Sequence, residues 1–591
     1  MMSDLEKLPA GVTVKSTSNE GITQSQISID SSDDGSRGVF NRVKHSFKRR
    51  QVVLPADVDL DSLDEQTRRN VILAHQPLKI ALKTRHLQMI AIGGTLGTGL
   101  FIGLGYSLAQ GPGSCLIGFS LVGLGIYCVI QAGAEMLIAY PVNGSFATHV
   151  TRFVDPALGF TIASNYALAW LISFPSELIG VSMTISYWNT SVDPAVWIAI
   201  SWVFIVSLNL FGVRAYGESE FWLSIIKVIA IIIFIIIGIV LICGGGPNSQ
   251  GYIGARYWHD PGSFVHPVLK SICSTLISAG FSFGGSELAI LSAEAEAKSI
   301  SRATKQVFWR ISLFYITTIV VISCLVPYND PRLLGGDTSE DITASPFVIA
   351  LSNTGAMGSR ISHFMNAVIL VAVLSVSNSC VFASSRVIQA LGASGQLPDI
   401  FAYIDNEGRP LVGILVSATI GLLGFLVDSS NQSTVFTWLF SLCSISSFFT
   451  WSSICLAHIR FRLALKKQGR STEELGYKAT LGIYGSVLGV IVMALIIIGE
   501  IWISIFPIGS PADVETFFQN CLSIPLMIVV FLSYRLWAGK FFSGLYTPLD
   551  KVDLDTGKRY QDVDLLIQQR AEDKARLRSK PLYYRLYRFF C

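Results

Sequence analysis

Charged residues are scarce in this sequence: they make up 14% of its 591 residues, whereas 51% are hydrophobic. Together with a mean hydropathy of +0.52, this composition is typical of a polytopic membrane protein and excludes an ordinary soluble domain. The formal net charge is only +3, so nothing in the charge balance indicates nucleic acid as a partner.

Three other signals are lacking. No apolar run precedes residue 86, so we expect no signal peptide, and the first membrane helix is expected to direct its own insertion. The ten cysteines have no metal-site spacing, which leads us to expect neither a structural disulfide nor a bound metal or other cofactor. No nucleophile–base set within the apolar runs indicates an enzyme, and no ring of charges or repeated filter sequence indicates a channel.

Both ends of the chain are polar. Residues 1–85 are rich in Ser, Asp, Lys and Arg, which predicts a disordered cytoplasmic tail. Its basic run at 44–50 either contacts anionic lipid or is simply solvated. Lys7 and Lys15 are candidate modification sites, which makes ubiquitin-ligase machinery a candidate partner of the cytoplasmic tails.

The C-terminal tail, residues 538–591, is charged and ends in a mixture of aromatic, basic and thiol groups. Such a mixture suits the membrane interface. Because Cys591 is the last residue, it cannot be a prenylation site, and it is either S-palmitoylated or unmodified.

Between the tails, residues 86–537 form a predicted transporter domain of twelve membrane-spanning helices. Most of its apolar runs have the length of about 20 residues that a spanning helix needs. The runs are 86–107, 113–138, 158–188, 194–212, 221–243, 266–291, 309–328, 361–385, 411–428, 436–458, 479–505 and 515–537. Lys and Arg are concentrated in the loops that follow even-numbered runs, as in 460–478, and this bias predicts cytoplasmic N- and C-termini.

Glycines interrupt the first run at 92–101, where four of ten residues are Gly. Glycine inside a helix costs about 1 kcal/mol relative to alanine. Within hydrocarbon, irregular backbone is tolerated only where it is buried in protein or lines a cavity. Two interpretations follow: the break presents polar backbone to a solute near the bilayer midplane, or small residues allow close helix packing.

A second glycine cluster, at 279–288, interrupts the sixth run. An offset of five helices is what an inverted 5+5 repeat requires, and the last two helices then lie outside the repeat. The matched breaks favour a transporter, because a helix N-terminus suits a carboxylate and unwound carbonyls suit an ammonium group.

The two breaks together predict a site for a zwitterion. We expect its carboxylate at the amides of Gly97, Thr98 and Gly99 and at the Thr98 hydroxyl. We expect its ammonium group at carbonyls near Thr95, Phe281 and Gly284. Phe281 could also cover the site, whereas Phe283 is assigned to core packing. The neighbouring residues of the second break complete the candidate set: Gly285 and Ser286.

Four ionisable residues fall inside apolar runs, and an intramembrane charge is by default a functional candidate. Lys227 either replaces a bound cation in proton coupling or extends to the inner interface. Glu177, two residues after a helix-interrupting proline, either relays protons or is a hydrogen-bonded carboxyl of the bundle. Glu287 either responds to protons or caps the second half-helix. Glu135, near the inner end of helix two, is assigned a structural role.

Several motifs resemble the fungal amino-acid permeases of the amino acid–polyamine–organocation superfamily, from about residue 75 to the C-terminus. They are the two glycine-rich breaks, Glu135 with 141–147, 152–160, 217–222 and 305–310. The resemblance implies a LeuT-type fold and proton-coupled uptake of amino acids across the plasma membrane, driven by the proton gradient.

The resemblance also implies residue roles. It places Thr98 and its flanking glycines at the substrate carboxylate, and Thr95, Phe281 and Gly284 at the ammonium, with Phe281 as a gate. It places Lys227 where sodium-driven relatives hold a cation. It likens the terminal sequence 589–591 to the palmitoylated terminus of plasma-membrane members.

One segment departs from the family pattern. The stretch 288–303 is about three residues shorter than in typical members and lacks their two prolines. Because it follows a helix expected to move, two alternatives stay open: a receptor of the same fold with little transport, and an amino-acid exchanger that needs no proton gradient. The sequence favours neutral or broad substrates over strictly cationic ones, although Glu177 keeps the cationic option open.

Overall fold

In the computed structural model, helices occupy most of the chain that can be described. The described ranges are 96–142, 145–188, 191–245, 251–291, 304–307, 310–333, 345–352, 356–427, 432–508, 511–539 and 546–559, with isolated positions 46–48, 86, 89, 300, 301, 572, 576, 579 and 581. Thr95 and Cys591 lie outside the described residues, as do Lys7, Lys15 and most of the shortened loop at 292–299.

Seventeen helices are named here in chain order within the described ranges. They are α1 (Gly99–Ala109), α2 (Pro112–Ala139), α3 (Phe146–Phe153), α4 (Pro156–Ser186), α5 (Pro194–Leu210), α6 (Val213–Ile242), α7 (Arg256–His259), α8 (Val268–Phe283), α9 (Leu288–Leu291), α10 (Leu313–Leu325), α11 (Pro346–Ser352), α12 (Ala356–Ala393), α13 (Leu411–Leu426), α14 (Gln432–Lys467), α15 (Gly482–Ile505), α16 (Val514–Cys521) and α17 (Ser523–Trp537).

The helices begin where the sequence supplies capping residues. The Asp155 carboxylate accepts hydrogen bonds from the amides of Ala157 and Leu158, at 2.8 and 3.2 Å, and Pro156 occupies the first position of α4. Asp193 caps α5 in the same way, again followed by a proline. A proline at this position loses no helical hydrogen bond, so both caps fix the start of a membrane helix.

Six helices are long and apolar enough to cross a membrane, judged by length and composition: α2, α4, α6, α12, α14 and α15. Six shorter apolar helices, α1, α5, α8, α10, α13 and α17, fall within the other predicted runs. The prediction of an all-α membrane protein is therefore confirmed, whereas twelve complete crossings and the inverted repeat remain predictions.

Helix α4 lies at the centre of the bundle and packs against both α12 and α14. The start of α1 lies against α8 at backbone contact: a Cβ atom added at Gly99 would come within 2.4 Å of the Ser282 Cα. Only glycine permits this approach. The close packing brings the two glycine-rich segments together.

Both glycine-rich segments depart from regular α-helix. Leu96 and Gly97 are non-helical, and α1 then begins as a π-helical turn at Gly99–Gly103. In the second segment, α8 ends at Phe283, residues 284–287 form turns, and α9 starts at Leu288. Gly285 has a φ of +83°, which glycine adopts readily. The predicted interruption of the sixth run is thus confirmed.

Parts of both tails dock onto one end of the bundle, which we call the tail side. The amide of Asn406 donates to the Lys48 carbonyl at 2.9 Å, and Arg409 donates to the Ser46 hydroxyl at 3.0 Å. In the C-terminal tail, residues 546–559 run across the ends of α2, α3 and α14. The disorder predicted for residues 1–85 stays a prediction; within that range, residues 46–48 contact Asn406 and Arg409.

Candidate functional site

A cavity of about 550 Å³, counted with its opening, lies between the two interrupted segments. Gly97, Thr98 and Gly99 form one wall, and Phe281, Gly284, Gly285 and Glu287 form another. The remaining lining comes from three helices: Tyr166, Ala169, Trp170, Ser173 and Glu177 of α4; Val376 of α12; and Cys443, Ser446 and Ser447 of α14. Most of the predicted site residues therefore meet in one cavity.

The entry to α1 presents polar backbone to this cavity. The first residues of a helix donate no hydrogen bond within the helix, and the helix dipole is positive there. Thr98 lies at the start of the helix with helical backbone angles, and the carbonyl of the preceding residue, Gly97, accepts hydrogen bonds from the amides of Leu100 and Phe101 at 3.1 and 3.0 Å. This end of the cavity suits an anionic group.

The Thr98 hydroxyl is hydrogen-bonded to a carboxylate oxygen of Glu177. Both side chains are fully buried, and among the described residues the second oxygen of Glu177 has no hydrogen-bond partner. The contact joins a residue predicted to bind the substrate to a residue predicted to handle protons. Sequence analysis assigned these roles separately and did not predict their contact.

At the second break, Glu287 is held in place by groups on both sides. One carboxylate oxygen accepts from the Gly285 amide at 3.2 Å, and the other accepts from the Trp451 indole at 3.0 Å. Ser286 belongs to the break but not to the cavity wall, because its hydroxyl donates to the Phe283 carbonyl at 2.6 Å. Glu287 thus caps the break and also lines the cavity.

The two phenylalanines of this segment occupy different environments, as predicted. Phe281 is partly exposed and lines the cavity. Phe283 is fully buried and stacks on Tyr315 with ring centroids 4.4 Å apart, so it belongs to the core.

Lys227 is buried away from the cavity wall, in a polar cluster between α6 and α12. Its ammonium donates to the Ser375 hydroxyl at 2.7 Å and lies 3.5 Å from Glu220. The Ser375 and Ser224 hydroxyls both donate to the same Glu220 oxygen, at 2.6 and 3.2 Å. Lys227 therefore does not extend to the interface; it links two helices inside the bundle.

Glu220 was not predicted as a member of this cluster. Glu220 precedes Lys227 by seven residues, which is two helical turns and places both side chains on one face. The predicted run began at residue 221, whereas α6 begins at Val213 and includes Glu220. Extending the helix by its polar first turns would have revealed the pair.

The distal lining was also missed, although its spacing is readable. Tyr166, Trp170, Ser173 and Glu177 follow one another at intervals of four, three and four residues, so they share one face of α4. On α14, Ser446 and Ser447 lie three and four residues after Cys443, so these small side chains also share one helix face. The Ser173 hydroxyl donates to the Cys443 sulfur at 3.2 Å and joins the two faces.

The described residues contain no group of three His, Cys, Asp or Glu side chains able to hold a metal ion. The cavity wall offers a helix entry for an anion, the buried Glu287 carboxyl for a cation, and the aromatic rings of Tyr166, Trp170 and Phe281. These are the groups that recognise an amino acid by its charged ends.

Residues 86–545 match the family described as Amino acid permease. The chain belongs to this family. Three relatives from Saccharomyces cerevisiae match it over nearly their whole length. The S-adenosylmethionine permease SAM3 is 60% identical over 95% of this chain and 96% of its own. The S-methylmethionine permease 1 is 58% identical over 94% and 95%, and the General amino-acid permease GAP1 is 44% identical over 98% and 97%.

Family membership confirms the resemblance drawn from the motifs. The permease is a multi-pass membrane protein that transports amino acids, and it is not an enzyme.

Proposed function

We propose that this permease takes up amino acids together with protons across the plasma membrane, with both tails in the cytoplasm. In this proposal twelve helices span the bilayer, ten of them form an inverted 5+5 repeat, and the proton gradient supplies the driving force. The tails are then available to anionic lipid, to ubiquitin-ligase machinery and, at Cys591, to palmitoylation.

The hydrogen bond between Thr98 and Glu177 carries this proposal. While Glu177 is ionised, it accepts the Thr98 hydroxyl proton, so that hydroxyl has no proton to offer a substrate. When Glu177 binds a proton, it becomes the donor to the Thr98 oxygen. The Thr98 hydroxyl is then free to donate to a substrate carboxylate. Proton binding and substrate binding therefore favour each other, as symport requires.

Lys227 supports the same proposal from outside the cavity. Its ammonium and the Glu220 carboxylate join α6 to α12. The family resemblance implies that sodium-driven relatives hold a cation at this position. A fixed internal cation makes a bound metal ion unnecessary at that point. Glu287 remains a second candidate proton acceptor of the cavity.

We propose a broad substrate range that includes neutral and sulfonium amino acids. The distal wall is built from small side chains of α4 and α14, such as Ala169 and Ser446, which leaves room for a large substrate side chain. Tyr166, Trp170 and Phe281 supply aromatic faces, and such faces attract a cation such as a sulfonium. Two relatives are named for S-adenosylmethionine and S-methylmethionine.

The test is uptake of labelled methionine and S-methylmethionine in cells that lack their own permeases, with and without a protonophore. We expect accumulation that the protonophore abolishes. Glu177→Gln should remove the pH dependence of uptake and the accumulation against a gradient, while exchange of substrate persists. Glu500→Gln is the matched control, because Glu500 is equally buried but lies on α15 outside the cavity wall.

The outcomes separate the alternatives. Uptake that resists the protonophore both in the parent permease and in Glu177→Gln identifies an exchanger. Substrate binding without accumulation identifies a receptor. Retained pH dependence in Glu177→Gln contradicts the coupling through Thr98.

A further inference from the structure

Residues 546–559, which follow α17, form a docked segment on the tail side of the bundle. Its two ends pair with backbone: the Thr547 amide donates to the Val154 carbonyl and the Arg559 amide donates to the Ala139 carbonyl, each at 2.8 Å. Between these ends the side chains of Val552 and Leu554 are only 3% and 1% exposed. The segment thus has a defined binding surface.

A buried arginine of α3 receives this segment. The Arg152 guanidinium donates to the carbonyls of Asp553 and Thr556, at 2.6 and 2.8 Å, and lies 3.2 Å from the Asp553 carboxylate. It also stacks over the Tyr140 ring, 4.4 Å from the centroid. Since Arg152 is 1% exposed, undocking leaves this charge without those partners.

Asp553 organises the segment that binds Arg152. The same carboxylate oxygen accepts the amides of Asp555 and Thr556, both at 3.0 Å, and so closes a turn. Burial acts to raise the pKa of Asp553, but the charge of Arg152 and these amides hold the pKa below its usual value. The carboxylate therefore stays ionised at cellular pH, and a proton is not what releases the segment.

The opposite edge of the segment is held by α14 and the turns after it. Gln468 donates to the carbonyls of Leu549 and Val552, at 3.1 and 2.8 Å. Arg470 donates to Asp555 at 2.7 Å, and Lys558 pairs with Glu474 at 2.9 Å. The segment therefore bridges α2 and α3 on one side to α14 on the other.

The seam that it bridges combines hydrogen bonds with apolar contacts. Arg462 of α14 forms two 2.6 Å hydrogen bonds with Glu135 of α2, and Arg460 donates to the Phe153 carbonyl at 2.6 Å. The buried ring of Phe461 also packs against Phe153 across this seam, with ring centroids 5.1 Å apart. Alternating access requires helix ends to separate on the side that opens, and these contacts must then break.

We propose that residues 546–559 are a detachable latch, which is docked while the tail-side ends of α2, α3 and α14 are together and undocks when they separate during transport. The proposal rests on transport by alternating access, and it places the regulation of that opening in the C-terminal tail.

The test uses the full-length purified permease carrying Leu554→Cys, with maleimide labelling of that cysteine as the measure of undocking. The parent chain provides the background from native cysteines. The latch should label completely, at a rate well above that of global unfolding, because it detaches while the bundle stays folded. Addition of S-methylmethionine should speed labelling severalfold. Labelling only at the unfolding rate identifies a static brace and overturns the latch.

Asp553→Ala in the same background should label about ten- to a hundredfold faster, since a charged hydrogen bond of that kind is lost. Asp550→Ala, an exposed carboxylate three residues earlier, is the control and should label like the parent. Equal rates for the two variants contradict the docking through Arg152.

Trypsin cleavage after Lys558, in a chain that keeps Leu554, checks that the new cysteine does not itself cause undocking. The rates of trypsin cleavage must rank the parent, Asp553→Ala and Asp550→Ala in the same order as the labelling rates do. Uptake in proteoliposomes made from the same preparation separates the two proposals: uptake without substrate-dependent labelling overturns the latch alone, whereas absence of uptake with rapid spontaneous labelling contradicts the transport function alone.

Discussion

Lys227 is not part of the cavity lining, and yet it connects two helices of the bundle. It is fully buried and is bound by Ser375 of α12 and Glu220 of its own helix. Removing one partner of a buried ion pair leaves the other charge uncompensated, at a cost of about 3–5 kcal/mol. The cluster therefore constrains α6 against α12 through charge rather than through shape.

We predict that Lys227→Met abolishes accumulation of substrate. The variant loses the internal cation and leaves the Glu220 carboxylate buried without it. Concentrative uptake of labelled methionine measures the effect, and Lys467→Met, at the exposed end of α14, is the control. Undiminished accumulation in Lys227→Met would remove this residue from the coupling mechanism.

Thr98→Val tests the carboxylate end of the site. The valine has nearly the shape of threonine but cannot donate to a carboxylate, and a hydrogen bond to a charged group contributes about 1.5–3 kcal/mol. The apparent affinity for substrate should fall about tenfold or more, as measured by concentration-dependent uptake. Thr419→Val is the control, because that exposed hydroxyl bonds only to its own helix. An unchanged affinity would contradict the assignment of Thr98.

At the scale of elements, the cavity depends on how closely α1 and α8 approach. A Cβ atom at Gly99 would meet the Ser282 backbone at 2.4 and 2.8 Å. Backbone cannot yield as a flexible side chain can, so one of the two helices must move. Such a shift would displace Thr98 and Phe281 together, because they flank the contact.

Gly99→Ala should therefore abolish transport, and it should do so even where protein reaches the membrane. Gly424→Ala is the matched control, since the added methyl would meet its neighbours at 3.4 Å or more, which is ordinary contact. Uptake is compared at equal surface expression, followed with a tagged chain. Normal uptake by Gly99→Ala would show that the two helices are not packed as described.

Much of this element-level arrangement is readable from sequence. Four glycines in ten residues predicted the irregular start of α1, and the second cluster predicted the end of α8, because glycine inside a membrane helix is unfavourable without such a use. That α4 lines the cavity was indicated only by the helical spacing of its side chains from Tyr166 to Glu177. Which face of a uniformly apolar helix points inward depends on its neighbours, and local pattern does not contain them.

At the scale of the whole molecule, Glu135 joins elements that are distant in sequence. It accepts from Arg462 and from the Ala479 amide, each at 2.6 Å, and lies 3.1 Å from His458. The Glu135–Arg462 ion pair connects α2, in the predicted first half of the repeat, with α14, in the predicted second half. Its predicted structural role agrees with these contacts.

We expect Glu135→Gln to destabilise the whole permease by about 3 kcal/mol, because Arg462 then loses a buried counter-charge. Thermal unfolding in detergent should occur at a lower temperature than for the parent. Glu473→Gln, which removes a surface carboxylate that is 49% exposed, should leave the unfolding temperature unchanged. A Glu135→Gln variant as stable as the parent would show that the bundle does not rely on this connection.

The docking of the tails could not be predicted at this scale. Asp553 and Arg152 are separated by 401 residues, and nothing near either residue indicates the other. By composition alone, residues 546–559 are only a charged stretch, and residues 46–48 belong to a tail with few apolar groups. Their positions depend on Arg152 and Arg409, which are distant from them in sequence.

The position of this docked segment has a practical consequence for protein engineering. A fluorescent protein or affinity tag should be joined beyond residue 559, where it leaves the pairing with α2 and α14 intact. Shortening the chain to the end of α17 would strip Arg152 of its acceptors and expose the surface beneath Val552 and Leu554. A truncated chain that is poorly expressed would then reflect a missing part of the fold rather than a missing trafficking signal.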